Sequence, residues 1–141
     1  MRLFLKTPAQ QTTPCVQDNK TVLIIDKNAD FVRTVREMLV QKGYRVLSAS
    51  ALAETCYAGT KPDLILCDMS LALNQAGVSL KHIRIRLAHK RVPVLLMSLH
   101  GTLHDIRYAL KIGADDCIAK SMSSEMLVMA IETRLQQIST I

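Results

Sequence analysis

Residues 62–70 read Pro62-Asp63-Leu64-Ile65-Leu66-Cys67-Asp68-Met69-Ser70. A proline and a turn-forming acid open a short apolar run that stops at a single carboxylate. The run is too short for a helix, and it is continuous where a half-exposed strand would alternate. That texture suits a strand covered on both faces, the kind found in parallel sheets. The pattern recurs on either side. Val22–Ile25 is a β-branched run halted at Asp26-Lys27, and Val92–Met97 is another that ends at Ser98. Pro93 lies near the start of its run, where a strand tolerates it. Tyr44–Ala49 and the short Cys117–Ala119, which leads into Lys120, complete five strands.

Helical periodicity fills the intervals. Phe31, Val35, Met38 and Leu39 recur on one face, with Asn28 or Asp30 to cap the start and Gly43 placed for a left-handed C-cap. A weaker Ala-rich helix is expected from Ser50 to Gly59, and a third over Val78–His89 with Leu80, Ile83 and Leu87 inward. Thr102–Ile112, closed by Gly113, gives a fourth, and a fifth runs from Ser123 or Ser124 to about Gln137, with Glu125 in its first turn. Met122, Met126 and Met129 are expected to pack in or beside the core. Residues 1–20 hold Pro8, Pro14 and no apolar period, and are read as a mobile extension. Residues 21–138 form the domain, leaving a short tail over 139–141. Five strands alternating with five helices form a parallel sheet covered on both faces.

Composition narrows the function classes. The chain has 141 residues, 49% hydrophobic, enough for one full core without disulfides or metals. No window reaches the length of a membrane span, and Leu3-Phe4-Leu5 is too short for a signal-peptide core, so a cytoplasmic protein without membrane insertion is expected. Cys15, Cys56, Cys67 and Cys117 form no CxxC pair and no ligand spacing with His82, His89, His100 or His104. Net charge is +6, and no carboxylate lies between Asp68 and Asp105. The run Lys81–Arg91 nevertheless reads as a solvated helix face rather than a nucleic-acid patch. No binding motif accompanies it, and Phe and Tyr total only five. Phosphate-binding glycine loops and a nucleophile elbow are also missing, which argues against an independent enzyme.

In open parallel sheets ligands bind beyond the carboxyl ends of the strands. Those ends carry Asp26-Lys27, Asp68, Ser98 and Lys120. Two carboxylates sharing a crevice repel unless a cation lies between them. A hard ion such as Mg²⁺ takes oxygen ligands, while a lysine and a hydroxyl suit phosphoryl oxygens. An aspartate can itself accept a phosphoryl group. The strand ends therefore read as a phosphoryl-handling crevice.

The ordered set VLIID, PDLILCDMS, VPVLLMS and GADDCIAK resembles the receiver domain of two-component response regulators over residues 21–138. The resemblance implies a flavodoxin-like (CheY-like) three-layer α/β/α sandwich with strand order 2-1-3-4-5. It implies that Asp68 accepts a phosphoryl group from a histidine kinase or phosphotransfer protein, and that Asp26, Asp68 and the backbone carbonyl of Ser70 hold Mg²⁺. By the same resemblance, Ser98 bonds the phosphoryl oxygen and Lys120 pairs with the aspartyl phosphate. The expected role is phosphorelay signalling that switches a docking face around Arg107, Tyr108, Lys111, Glu125 and Met129. Its partner would be a downstream protein, a fused output domain or a second copy of the chain.

Several positions depart from the family pattern. Lys27 stands where a second acidic metal ligand is usual, which weakens Mg²⁺ and places an ammonium within reach of Asp68. Leu99, Cys117, Ser121 and Met129 replace the usual small, aromatic, proline and arginine residues. The segment MSLALNQAG, read as a loop, lacks the family's Pro and Asp. The alternative is a pseudo-receiver, an interaction module left unphosphorylated because Lys27 takes the place of a metal-ligating acid.

Overall fold

The computed structural model describes residues 20–50, 62–74 and 92–139. The extension before residue 20, the helices expected over Ser50–Gly59 and Val78–His89, the Lys81–Arg91 run and the last two residues lie outside that set. Nine elements follow in order: β1 (Thr21–Ile25), α1 (Ala29–Gln41), β2 (Arg45–Ala49), β3 (Leu64–Asp68), α2 (Met69–Asn74), β4 (Val94–Ser98), α3 (Leu103–Lys111), β5 (Asp116–Ala119) and α4 (Ser124–Ser139). The sheet runs β2-β1-β3-β4-β5, and every pair is parallel. This is the order expected from the sequence.

The apolar runs explain why the central strands sit inside. In β1, β3 and β4 successive side chains alternate between two apolar layers. Val22, Ile24, Leu64, Leu66, Leu95 and Met97 meet Val32, Val35 and Leu39 of α1 and Leu127, Val128, Ile131 and Leu135 of α4. Leu23, Ile25, Ile65, Cys67, Val94 and Leu96 face the other way, toward Met69 and Leu71 of α2 and Ala109 of α3. Each fully buried aliphatic side chain contributes about 1.5–3 kcal/mol. Edge strand β2 differs, with only Val46 buried.

Local chemistry sets the boundaries. The Asn28 side chain caps α1 by accepting from the Phe31 N–H, and Gly43 takes φ 97° after its end. At α3 the Thr102 hydroxyl accepts from the Asp105 N–H while the Asp105 carboxylate accepts from the Thr102 N–H. Asp63 ties β3 to β1 through the Thr21 N–H, and Asp115 ties the β5 entry to β4 through the Val94 N–H.

Two expectations need correction. Residues 69–74, read as loop, are helical: Met69 and Leu71 are buried, and no proline interrupts the segment. Met126 and Met129 are exposed rather than packed, because Leu127, Val128 and Ile131 set the inward phase of α4.

Gly101, between β4 and α3, has φ 62°, and a Cβ there meets the Ala119 Cβ at 2.9 Å. Gly101→Ala is expected to lose about 2 kcal/mol in urea unfolding. Adding Ala119→Gly should recover part of that loss, and strict additivity would show that the close approach is not its source.

Candidate functional site

Parallel register carries the strand ends to one edge of the sheet. Ile25 pairs with Cys67, Asp68 with Met97 and Ser98 with Ala119. The residues ending these strands, Asp26, Asp68, Ser98 and Lys120, therefore share that edge. The Asp26 backbone is fixed by its N–H to the Ala49 carbonyl at 3.0 Å, and that of Lys120 by its N–H to the Ser98 carbonyl at 2.7 Å.

Lys120 is the hub. Its Nζ donates to Asp26 Oδ2 at 2.6 Å and lies 3.8 Å from Asp68 Oδ1. The Phe31 ring supports the ammonium, with its centroid 4.6 Å from Nζ. The Asp26 side chain is only 2% exposed, so without a cation its charge would cost several kcal/mol. Its second oxygen accepts the Asn28 N–H at 2.9 Å. Asp68 is more open, and its Oδ2 accepts the Ser70 hydroxyl at 2.8 Å.

The sequence thus identified Asp26, Asp68 and Lys120 as neighbours, and they are. Ser70 sits in the first turn of α2, and its hydroxyl donates to Asp68. Lys27 is exposed and forms no ion pair with any described carboxylate. It faces a cleft beside α1, where water solvates its ammonium, while Lys120 supplies the bridging charge.

Ser98 is buried and already engaged. Its oxygen accepts the Gly101 N–H at 2.8 Å and lies 3.5 Å from Cys117 Sγ. The Ser98 hydroxyl is the leading influence holding the Asp105 carboxyl below its usual range. The Thr102 backbone and hydroxyl and nearby His104 add to this, against some desolvation. Phe31, Asn28, Gly101 and Asp105 support the site without having been singled out for it. Phe31 had shown only helical periodicity, and Asp105 only the end of a carboxylate-free stretch.

The oxygen donors of Asp26 and Asp68 fit a hard divalent ion, which is ordinarily held by one or two carboxylates with water completing the shell. Such an ion competes with Lys120 for the same oxygens. Among the described residues no cluster of three His, Cys, Asp or Glu side chains offers another metal site. Cys67, behind Asp68, is fully buried, and its thiol is pushed up to about 12 by burial first and then by Asp68 and Asp26.

A family model described as the response regulator receiver domain matches residues 22–132. The chain is 34% identical over 120 residues to the nitrogen assimilation regulatory protein NtrX of Azorhizobium caulinodans, covering 82% of this chain and 26% of that protein. It is 29% identical over 121 residues to the phosphate regulon transcriptional regulatory protein PhoB of Pseudomonas aeruginosa, covering 84% and 52%. The chain thus spans about a quarter to a half of the length of these relatives. Among solved structures, a two-component response regulator from Clostridium difficile superposes with TM-score 0.71 at 24% identity, covering 85% of this chain and 98% of that one. The non-phosphorylated HemR receiver domain from Leptospira biflexa gives 0.63 at 21%, covering 83% and 94%. At these identities the structural likeness is one of fold.

Lys27→Asp is expected to tighten Mg²⁺ binding about tenfold by calorimetric titration, since a unit charge near 4 Å contributes up to roughly 4 kcal/mol and exposure removes most of it. An unchanged affinity would detach Lys27 from the metal question. The raised Cys67 thiol contributes stability that is full below its ordinary pKa of 9.0 and is lost as pH rises from there toward about 12. Iodoacetamide at pH 8 should accordingly leave Cys67 unmodified in the folded chain and label it in urea.

Proposed function

The chain belongs to the response regulator receiver domain family, and on that premise we propose that it takes a phosphoryl group onto Asp68 from a histidine kinase or phosphotransfer protein. The convergence of Asp26, Asp68 and Lys120 at one sheet edge carries this reading. Asp68 Oδ2 is committed to Ser70, which leaves Oδ1, with only the longer Lys120 contact, as the attacking oxygen. The O–P bond forms as the P–N bond of the donor phosphohistidine breaks, and the imidazole nitrogen departs with that electron pair. Lys120 lies within a short side-chain movement of the incoming phosphoryl oxygens and neutralises them as charge develops. Asp26 and Asp68 would hold Mg²⁺, which when bound would supply further neutralisation of that developing charge.

The signal then depends on Ser98. A phosphoryl group on Asp68 offers its hydroxyl a stronger, charged acceptor. Turning toward it releases the Gly101 N–H, loosening the junction between β4 and α3. The exposed residues Arg107, Tyr108 and Lys111 of α3, with Glu125 and Met129 of α4, form the docking face that reads this change. The target is a downstream protein, an output domain or a second copy. The competing reading is an unphosphorylated interaction module, favoured by Lys27 standing beside Asp26 where the family usually carries a second metal-ligating acid.

Intact mass after incubation with acetyl phosphate tests this, with Mg²⁺ or chelator, for the wild type, Asp68→Asn and Lys27→Asp. A Mg²⁺-dependent gain of one phosphoryl group, lost in Asp68→Asn, is the expected result. Labelling of Lys27→Asp with none of the wild type would instead establish the interaction module.

A further inference from the structure

A second cleft opens beside the crevice, between the start of α1 and the end of β2. It encloses about 470 Å³ and is lined by Asp26, Lys27, Ala29, Val32, Arg33, Arg36, Ser48, Ala49 and Ser50. Three cations contribute to its wall. The one lining carboxylate, Asp26, is turned away to Lys120 and the Asn28 N–H. Arg33 pairs with Asp30 on the exposed face of α1, an interaction of the kind worth little in water and readily exchanged for a better anion. Arg36 is anchored through Nη2 to the Val46 carbonyl at 3.3 Å, which leaves the rest of its donor fork available. Lys27 makes no ion pair with any described carboxylate. The positive end of the α1 dipole, at Ala29, adds to the same field.

The geometry points to an oligophosphate-binding cleft, with Lys27, Arg33 and Arg36 holding a di- or triphosphate chain along α1. The length of the cationic row selects this ligand class. From Ala29 to Arg36 the helix rises about 10 Å, and Lys27 extends the row beyond its N-terminus. A single phosphate cannot engage both ends of such a row, whereas linked phosphates can. Arg33 and Arg36, three residues apart, lie on one face and both line the cleft. Ala29, Val32 and Ala49 give an apolar wall for an organic group, and the volume falls within the range of small-molecule pockets. Nucleotides and inorganic polyphosphates share the chemistry that the three cations recognise.

Calorimetric titration of the full chain with tripolyphosphate, orthophosphate, ADP and adenosine, in chelator and low salt, tests the assignment. Tripolyphosphate should bind about tenfold or more tightly than orthophosphate. Lys27→Ala and Arg36→Ala should each weaken it about tenfold, and Arg36→Gln, which keeps a donor for Val46, should do the same. Lys42→Ala, outside the cleft and paired with Glu132, should leave affinity unchanged. Binding should survive in Asp68→Asn, which separates this cleft from phosphoryl acceptance. ADP tighter than tripolyphosphate would identify a nucleotide site, and the reverse order an inorganic one. The proposal is overturned by three outcomes: no saturable binding at millimolar ligand, equal loss in Lys42→Ala, or amide shifts centred on Asp68 and Lys120 rather than on Lys27 and Ser48.

Discussion

Parallel register is the constraint from which the site follows. Strands that all run one way must all end at one edge, so whatever each sequence run carries at its carboxyl end is delivered to the same place. Asp26 and Lys120 are 94 residues apart in the chain, yet they meet because β1, β3, β4 and β5 start and stop in step. Burial on both faces enforces the register. A one-residue slip in β3 would exchange Leu64 and Leu66 with Ile65 and Cys67 between two differently shaped layers and displace Asp68 from the edge.

Within that frame one ammonium holds two carboxylates. The pairing resolves an electrostatic conflict that the fold itself creates, since Asp26 is nearly inaccessible to water and Asp68 stands beside it. Lys120 is shared unequally, closer to the buried acid than to the exposed one. Unequal sharing leaves Asp68 the less neutralised of the two carboxylates. On the far side of the crevice, Ser98 is restrained by the Gly101 N–H of the next loop. Lys120 and Ser98 are thus both already committed, and on the proposed reading their release would couple chemistry at Asp68 to shape.

The strands were legible because each is an unbroken apolar run bounded by polar turn residues, and the edge residues because each run ends in a distinct chemical type. The cap at Asn28 could be read for the same local reason. The helix over 69–74 was not, since Ser70 and Asn74 resemble loop composition and the buried contacts of Met69 and Leu71 are set by tertiary packing. Met126 and Met129 show the limit of spacing alone, because i,i+3 periodicity does not say which of two faces is inward. Lys27 was legible as a charge reversal, but its direction was not. The side chain follows solvent into the α1 cleft, and nothing local to residues 26–28 specifies that choice. Arg33 and Arg36, ordinary surface cations in the sequence, acquire a shared orientation only through α1 and its packing on β2.

The position of Lys120 at the end of the last strand also bears on how the chain folds. Parallel pairs cannot close through hairpins, so each strand waits for a crossover, and β5 joins the sheet only beside β4. Until it docks, Asp26 and Asp68 face each other without their counter-ion, and any partly assembled sheet carries uncompensated acid at its core. The final strand therefore supplies charge as well as area. A sheet lacking β5 would lack the counter-ion that offsets the buried charge of Asp26.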